Sequence, residues 1–161
     1  MRSQHLIQKI SSLLFLFFMT SFAQDTMDPF YQAIAENDLE QVKQIIGDGA
    51  DVDQLNFLGA TPLIQAVWTG NVEMVKLQVD YGAEINLSTE KHADALIVAA
   101  GKGQEDIVKF LVENDANLNS RDKEGKTPLI TAIYNRHPQL AKLFIDSGAN
   151  VNLKADEDWT A

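Results

Sequence analysis

Phe57-Leu58-Gly59-Ala60-Thr61-Pro62-Leu63-Ile64 opens the stretch that decides the fold, and Gly82-Ala83-Glu84-Ile85-Asn86 closes it. Thr61 can cap a helix, and Pro62 suits its first position, where a missing N–H costs nothing. Leu63, Ala66 and Val67 then follow at helical spacing along one apolar face. Gly70-Asn71 ends that helix and starts a second, with Val72, Val75 and Val79 on one face and Met74 and Leu77 on another. Gly82 stops the second helix in the left-handed conformation that glycine adopts cheaply. Ala83 to Asn86 runs out as an extended arm. The unit is therefore helix, tight turn, helix, hairpin-like loop.

The same marks return every 33 residues. The closing pair is Gly49-Ala50, Gly82-Ala83, Asp115-Ala116 and Gly148-Ala149. The opening mark is Asp28-Pro29-Phe30, Thr61-Pro62-Leu63, Asp94-Ala95-Leu96 and Thr127-Pro128-Leu129, and a lone alanine keeps step at Ala33, Ala66, Ala99 and Ala132. A unit of this length cannot bury its apolar face alone, so units must stack. The expected architecture is an all-α repeat solenoid with complete units at 24–56, 57–89, 90–122 and 123–155 and the start of a fifth at 156–161.

Gly-x-Thr-Pro-Leu, then Ala, Gly-Asn, Val and Gly-Ala, in one 33-residue register, resembles the ankyrin repeat. The resemblance spans residues 24–161. It implies stacked helix pairs with loops projecting at about 90° and a role as a scaffold for protein–protein recognition, without enzymatic activity or cofactor. The chain departs from the family in several places. Ile64, Ile97 and Ile130 stand where the family carries histidine, so apolar packing must replace a hydrogen bond to the threonine. In the third unit Asp94-Ala95 replaces Thr-Pro and Asp115 replaces the closing glycine. Asp94 still suits a helix cap, and Asp115 can take the left-handed geometry at about 1 kcal/mol. Gln78 occupies the place of Ile45, Leu111 and Phe144. Its amide is expected to reach the surface; otherwise it marks a polar contact site or a local weak point.

Residues 1–23 stand outside the register. Arg2 and Lys9 precede the apolar run Leu13–Met19, and Ser21 and Ala23 place small residues before a cut at Gln24. This is the pattern of a secretory signal peptide. A membrane anchor needs about 18–20 apolar residues, more than Ile10–Phe22 supplies. Export, to a periplasm or beyond, is the expectation. The formal net charge is −10, and removal of Arg2 and Lys9 makes it −12. Such acidity opposes nucleic-acid binding, which depends on Lys and Arg displacing counterions, and opposes attachment to anionic lipid. With no cysteine, disulfides and thiolate chemistry are excluded.

In the second helix of the first unit, Gln41 and Gln44 align with the apolar pairs Met74 and Leu77, Ile107 and Phe110, and Leu140 and Leu143. A polar outer face is what a capping repeat needs. The fourth unit keeps an internal pattern, which leads us to expect a longer array with a C-terminal cap and, with that cap, a monomer. The alternatives are a frayed natural terminus and an oligomer contact.

Little points to catalysis. Outside residues 1–23 the only histidines are His92 and His137, in different units, and neither has a second histidine at metal-ligand spacing. The carboxylates read as a solvated surface. Asn86-Leu87-Ser88 matches a glycosylation sequon, but Asn86 also fits the arm structurally. In the ankyrin resemblance, partners bind loop tips and the exposed side of the first helix. Those positions are Phe57, Leu58, Ala60, Trp68 and Thr69, then Glu90, Lys91, Ala93, Gly101 and Lys102, then Lys123, Glu124, Lys126, Tyr134 and Asn135. Phe57, Leu58 and Trp68 either anchor a partner or merely cover the next unit. Lys91, Lys102, Lys123 and Lys126 form a local basic cluster. The leading expectation is an exported scaffold that holds a protein. The alternative is the repeat region of a larger enzyme or toxin whose active domain lies past Ala161.

Overall fold

The computed structural model describes residues 28–89 and 93–156. The segment read as a leader, Glu90, Lys91, His92 and residues 157–161 lie outside the described residues. Among the described residues eight helices form four antiparallel pairs: α1 (Pro29–Glu36) with α2 (Leu39–Gly47), α3 (Pro62–Thr69) with α4 (Val72–Asp80), α5 (Ala95–Lys102) with α6 (Glu105–Glu113), and α7 (Pro128–Tyr134) with α8 (Pro138–Asp146). First helices stack on first helices and second on second along the array, and no strand occurs among the described residues. The chain is an all-α repeat solenoid.

Each first helix starts as its sequence dictates. The Ile64 N–H donates to Thr61 Oγ1 at 3.1 Å, the Ile97 N–H to Asp94 Oδ1 at 2.9 Å and the Ile130 N–H to Thr127 Oγ1 at 3.3 Å. Asp28 caps α1 one residue earlier, accepting from the Phe30 N–H. Ala33, Ala66, Ala99 and Ala132 are fully buried; a methyl group at this point lets neighbouring first helices approach closely. Ile64 and Ile97 are buried as well, so apolar packing does take over where the family's histidine is missing. One continuous core runs from Phe30 to Ala149.

Two left-handed positions recur in each unit. Gly49, Gly82, Asp115 and Gly148 follow the second helices, with φ of 63° at Asp115. Asn37, Gly70, Gly103 and Arg136 follow the first. At Gly103 a Cβ would lie 2.6 Å from the His137 ring, so the next unit itself forbids a side chain there.

Gln78 corrects the sequence reading. Its side chain is fully buried, and neither amide atom has a hydrogen-bond partner. The rotation of α4 that buries Met74 and Val75 also turns Gln78 inward, in register with fully buried Leu111 and Phe144. Gln41 and Gln44 are both exposed.

Candidate protein-binding surface

The surface residues are positioned by two turns of identical design. In the first, the Asn56 N–H donates to the Ala60 carbonyl at 3.0 Å and the Gly59 N–H to the Asn56 carbonyl at 2.8 Å. Asn56 Oδ1 accepts from the Leu58 and Ala60 N–H groups at 2.9 and 3.0 Å, an asparagine holding its own turn. Asp122 does the same for Glu124 and Lys126, at 3.0 and 2.8 Å. Each turn projects two side chains: Phe57 and Leu58 in one, Lys123 and Glu124 in the other.

The Phe57 turn is also pinned from below. The Tyr31 hydroxyl lies 2.6 Å from the Gln54 carbonyl and 2.7 Å from the Ala60 carbonyl. Burial pushes its phenol well above the ordinary tyrosine range, with the Asp28, Asp51 and Asp53 carboxylates adding to the rise. It therefore stays a neutral donor. The Thr89 hydroxyl donates to the Gly59 carbonyl at 2.9 Å. On this fixed base Phe57 is 79% exposed, Leu58 48% and Leu55 53%. Three large apolar side chains are thus exposed at one turn. Leu55 is the residue that sequence reasoning missed. Its register partners are Ser88, Arg121 and Lys154, and that contrast was the available signal.

The other predicted positions divide. Ala60 is buried, its carbonyl held by Tyr31, so it cannot touch a partner. Trp68 is half-buried at the end of α3. Thr69 donates to the Ala66 carbonyl at 2.8 Å and accepts from the Asn71 N–H, and Asn135 donates to the Thr131 carbonyl at 2.9 Å; both side chains close their own helices. Gly101 belongs to the stack, its carbonyl 3.3 Å from His137 Nε2. Lys102 is exposed and Ala93 half-buried. Lys123 pairs with Glu124 at 3.6 Å, and Lys126 Nζ sits 5.0 Å above the Tyr134 ring, within cation–π range. Glu90 and Lys91 lie outside the described residues.

Charge is unevenly spread along the array. Residues 28–56 hold seven acids and one base, whereas 123–155 hold five bases and two acids. Among the described residues no group of three or more His, Asp or Glu is placed to hold a metal ion, and no helix is long and apolar enough to cross a membrane.

Stacked helix pairs, repeated caps and rigid projecting turns define a repeat scaffold. The family model of ankyrin repeats, in three copies, matches residues 11–89, 30–122 and 81–155, and the chain belongs to the ankyrin-repeat family. Ankyrin repeats generally mediate protein–protein interaction. None of the curated proteins compared with the chain matches it.

Proposed function

We propose that this chain is an exported, non-catalytic scaffold that captures a protein partner on the turn carrying Leu55, Phe57 and Leu58. The observation that carries the reading is the 79% exposure of Phe57 on a turn held by Asn56, Tyr31 and Thr89. A rigid aromatic anchor loses little conformational entropy on binding. Asp28, Asp51 and Asp53 of the first unit lie near the Tyr31 hydroxyl beneath this turn, so the fitting partner presents an apolar pocket rimmed by basic groups. Lys102, Lys123, Lys126 and Tyr134, further along the array, serve partner carboxylates. Export follows from the charged, apolar and small-residue order of residues 1–23.

The test is affinity capture from the extracytoplasmic fraction with wild type beside Phe57→Asp and Trp68→Ala. We expect Phe57→Asp to lower partner recovery at least 10-fold without shifting the melting temperature, because Phe57 contacts water in the free protein. Trp68→Ala, at a half-buried site, should lower stability as well. Equal recovery of every partner by wild type and Phe57→Asp would sink the site. N-terminal sequencing of the exported protein tests the leader, with Gln24 as the expected first residue.

A further inference from the structure

The third unit holds fewer of the devices that fasten the second. The α3–α4 pair keeps the whole set: Thr61 caps α3, Pro62 fills its first position, Asn71 Oδ1 caps α4 and Gly82 takes the left-handed stop. In the α5–α6 pair each of these is replaced. Asp94 caps α5 with a carboxylate only 2% exposed, and burying a charge costs more than burying a hydroxyl. Ala95 stands at the first position of α5, where α1, α3 and α7 have proline; proline there restricts the unfolded chain, and alanine does not. Gln104 precedes α6 without making a side-chain cap bond. Asp115 takes a φ of 63° where Gly49, Gly82 and Gly148 serve. Inside α5, Gly101 stands where α3 and α7 carry Trp68 and Tyr134, and glycine is a poor helix former. Against these the second unit sets one defect, the buried Gln78 amide.

The third unit is interior to the described array. Its helices pack between the α3–α4 and α7–α8 pairs, so its weakness is not the fraying of an end. A unit in a stack is held by its own stability and by its junctions. Polar ties to the second unit run through Gln104 and Asn86. Gln104 Nε2 donates to the Val67 carbonyl at 2.8 Å. Asn86 accepts from the Asn117 N–H at 2.7 Å and donates to the Asp115 carbonyl at 3.3 Å. The chain leads toward α5 through Thr89, whose hydroxyl holds the Gly59 carbonyl at 2.9 Å. Thr89 precedes Asp94 by five residues. The segment that enters the third unit therefore also fastens the Phe57 turn.

We infer that the third unit is a conformational switch within the array: α5 and α6 open together ahead of α3 and α4, and their opening frees Thr89 and loosens the Phe57 turn. Cooperative opening of one such block is a minor population of a native state. Its position gives it a consequence. Phe57 and Leu58 precede the third unit, and Lys123, Lys126 and Tyr134 follow it, so opening parts the two groups. A partner that touches both binds the closed form better and shifts the population toward it. That consequence rests on the proposed binding surface; the opening itself does not.

The test is hydrogen exchange of backbone amides, followed by NMR on the full-length natural polypeptide without a partner. The α5 and α6 amides should exchange at least about 10-fold faster than those of α3 and α4. Giving the third unit the second unit's residues, in Asp94→Thr/Ala95→Pro/Asp115→Gly, should slow α5 and α6 at least about 10-fold and slow the Leu58, Gly59 and Ala60 amides with them. Placed beside Thr89→Val, the same three replacements should still protect α5 and α6 but no longer the turn. Exchange of α5 and α6 no faster than that of α3 and α4 overturns the inference, and so does a repaired chain whose α5 and α6 exchange unchanged. Turn amides that respond equally with and without the Thr89 hydroxyl refute the link to Phe57. None of these readings involves a partner, so loss of the binding surface leaves them standing, and their failure leaves the surface standing.

Discussion

At the residue scale, two buried polar side chains limit stability. Gln78 has no hydrogen-bond partner in the core, and an unsatisfied buried amide costs about 1–3 kcal/mol. Leucine has similar volume and restores the chemistry of Leu111. We predict that Gln78→Leu raises the unfolding free energy by about 1–3 kcal/mol, measured by urea denaturation; a lower midpoint would show that the glutamine serves the fold. Asp94 does the work of Thr61 and Thr127 but with a carboxylate. Burial pushes its carboxyl up, while the Ile97 and Leu96 N–H groups pull it down less strongly. A raised folded pKa means the folded state holds its proton more tightly than the unfolded chain. Stability is then greatest below the unfolded pKa of about 3.9 and declines as pH rises through the folded value. Asp94→Thr should therefore stabilise at neutral pH, with the gain shrinking as pH falls toward 4. A gain that stays constant from pH 7 to pH 4 would show that charge is not the cause.

At the element scale, the junctions between helix pairs are set by a short exchange between turns. Asn71 caps α4 through its oxygen, accepting from the Met74 N–H at 3.1 Å, and bridges to Asn37 through its nitrogen. Gln104 and His137 make no cap bond and reach only backward to the previous unit. The glycines beneath them make room. Gly103→Ala should cost more than Gly148→Ala, although both pay the left-handed penalty of about 1–2 kcal/mol. The added methyl meets the His137 ring at 2.6 Å in the first case and nothing within 4 Å in the second. Thermal melts of the two variants decide it: equal losses would mean that His137 moves aside freely. The turns on the opposite edge follow the same economy, with Asn56 and Asp122 spending side chains on their own backbones so that the residues between them are free to vary.

At the scale of the whole molecule, stability is a sum over junctions, and function is left to what the junctions do not use. Acidic and basic units lie at opposite ends of the described array, and long-range fields of this kind steer partners toward one orientation. The solenoid was legible almost entirely in the sequence. Thr61-Pro62, Gly82 and the alanine series each state a local requirement, and a requirement repeated at 33 residues leaves one architecture. The site was legible in part. Phe57 and Leu58 stood out because apolar side chains occupy a turn. Thr69, Gly101 and Asn135 stood at the same kind of position, yet their polar groups and surfaces go to their own helices or the next unit.

The sequence by itself determined the period, the caps, the left-handed stops and the family, because these follow from backbone chemistry acting within a few residues. Only the tertiary structure decided that Gln78 is sealed in without a partner, that Ala60 is buried beneath Tyr31, that Leu55 joins Phe57 in water, and that Ile133 and Val151 stand exposed on the last described pair. Each of these depends on which neighbouring unit covers a side chain. Burial is a property of two surfaces meeting, and one repeat read along the chain carries only one of them.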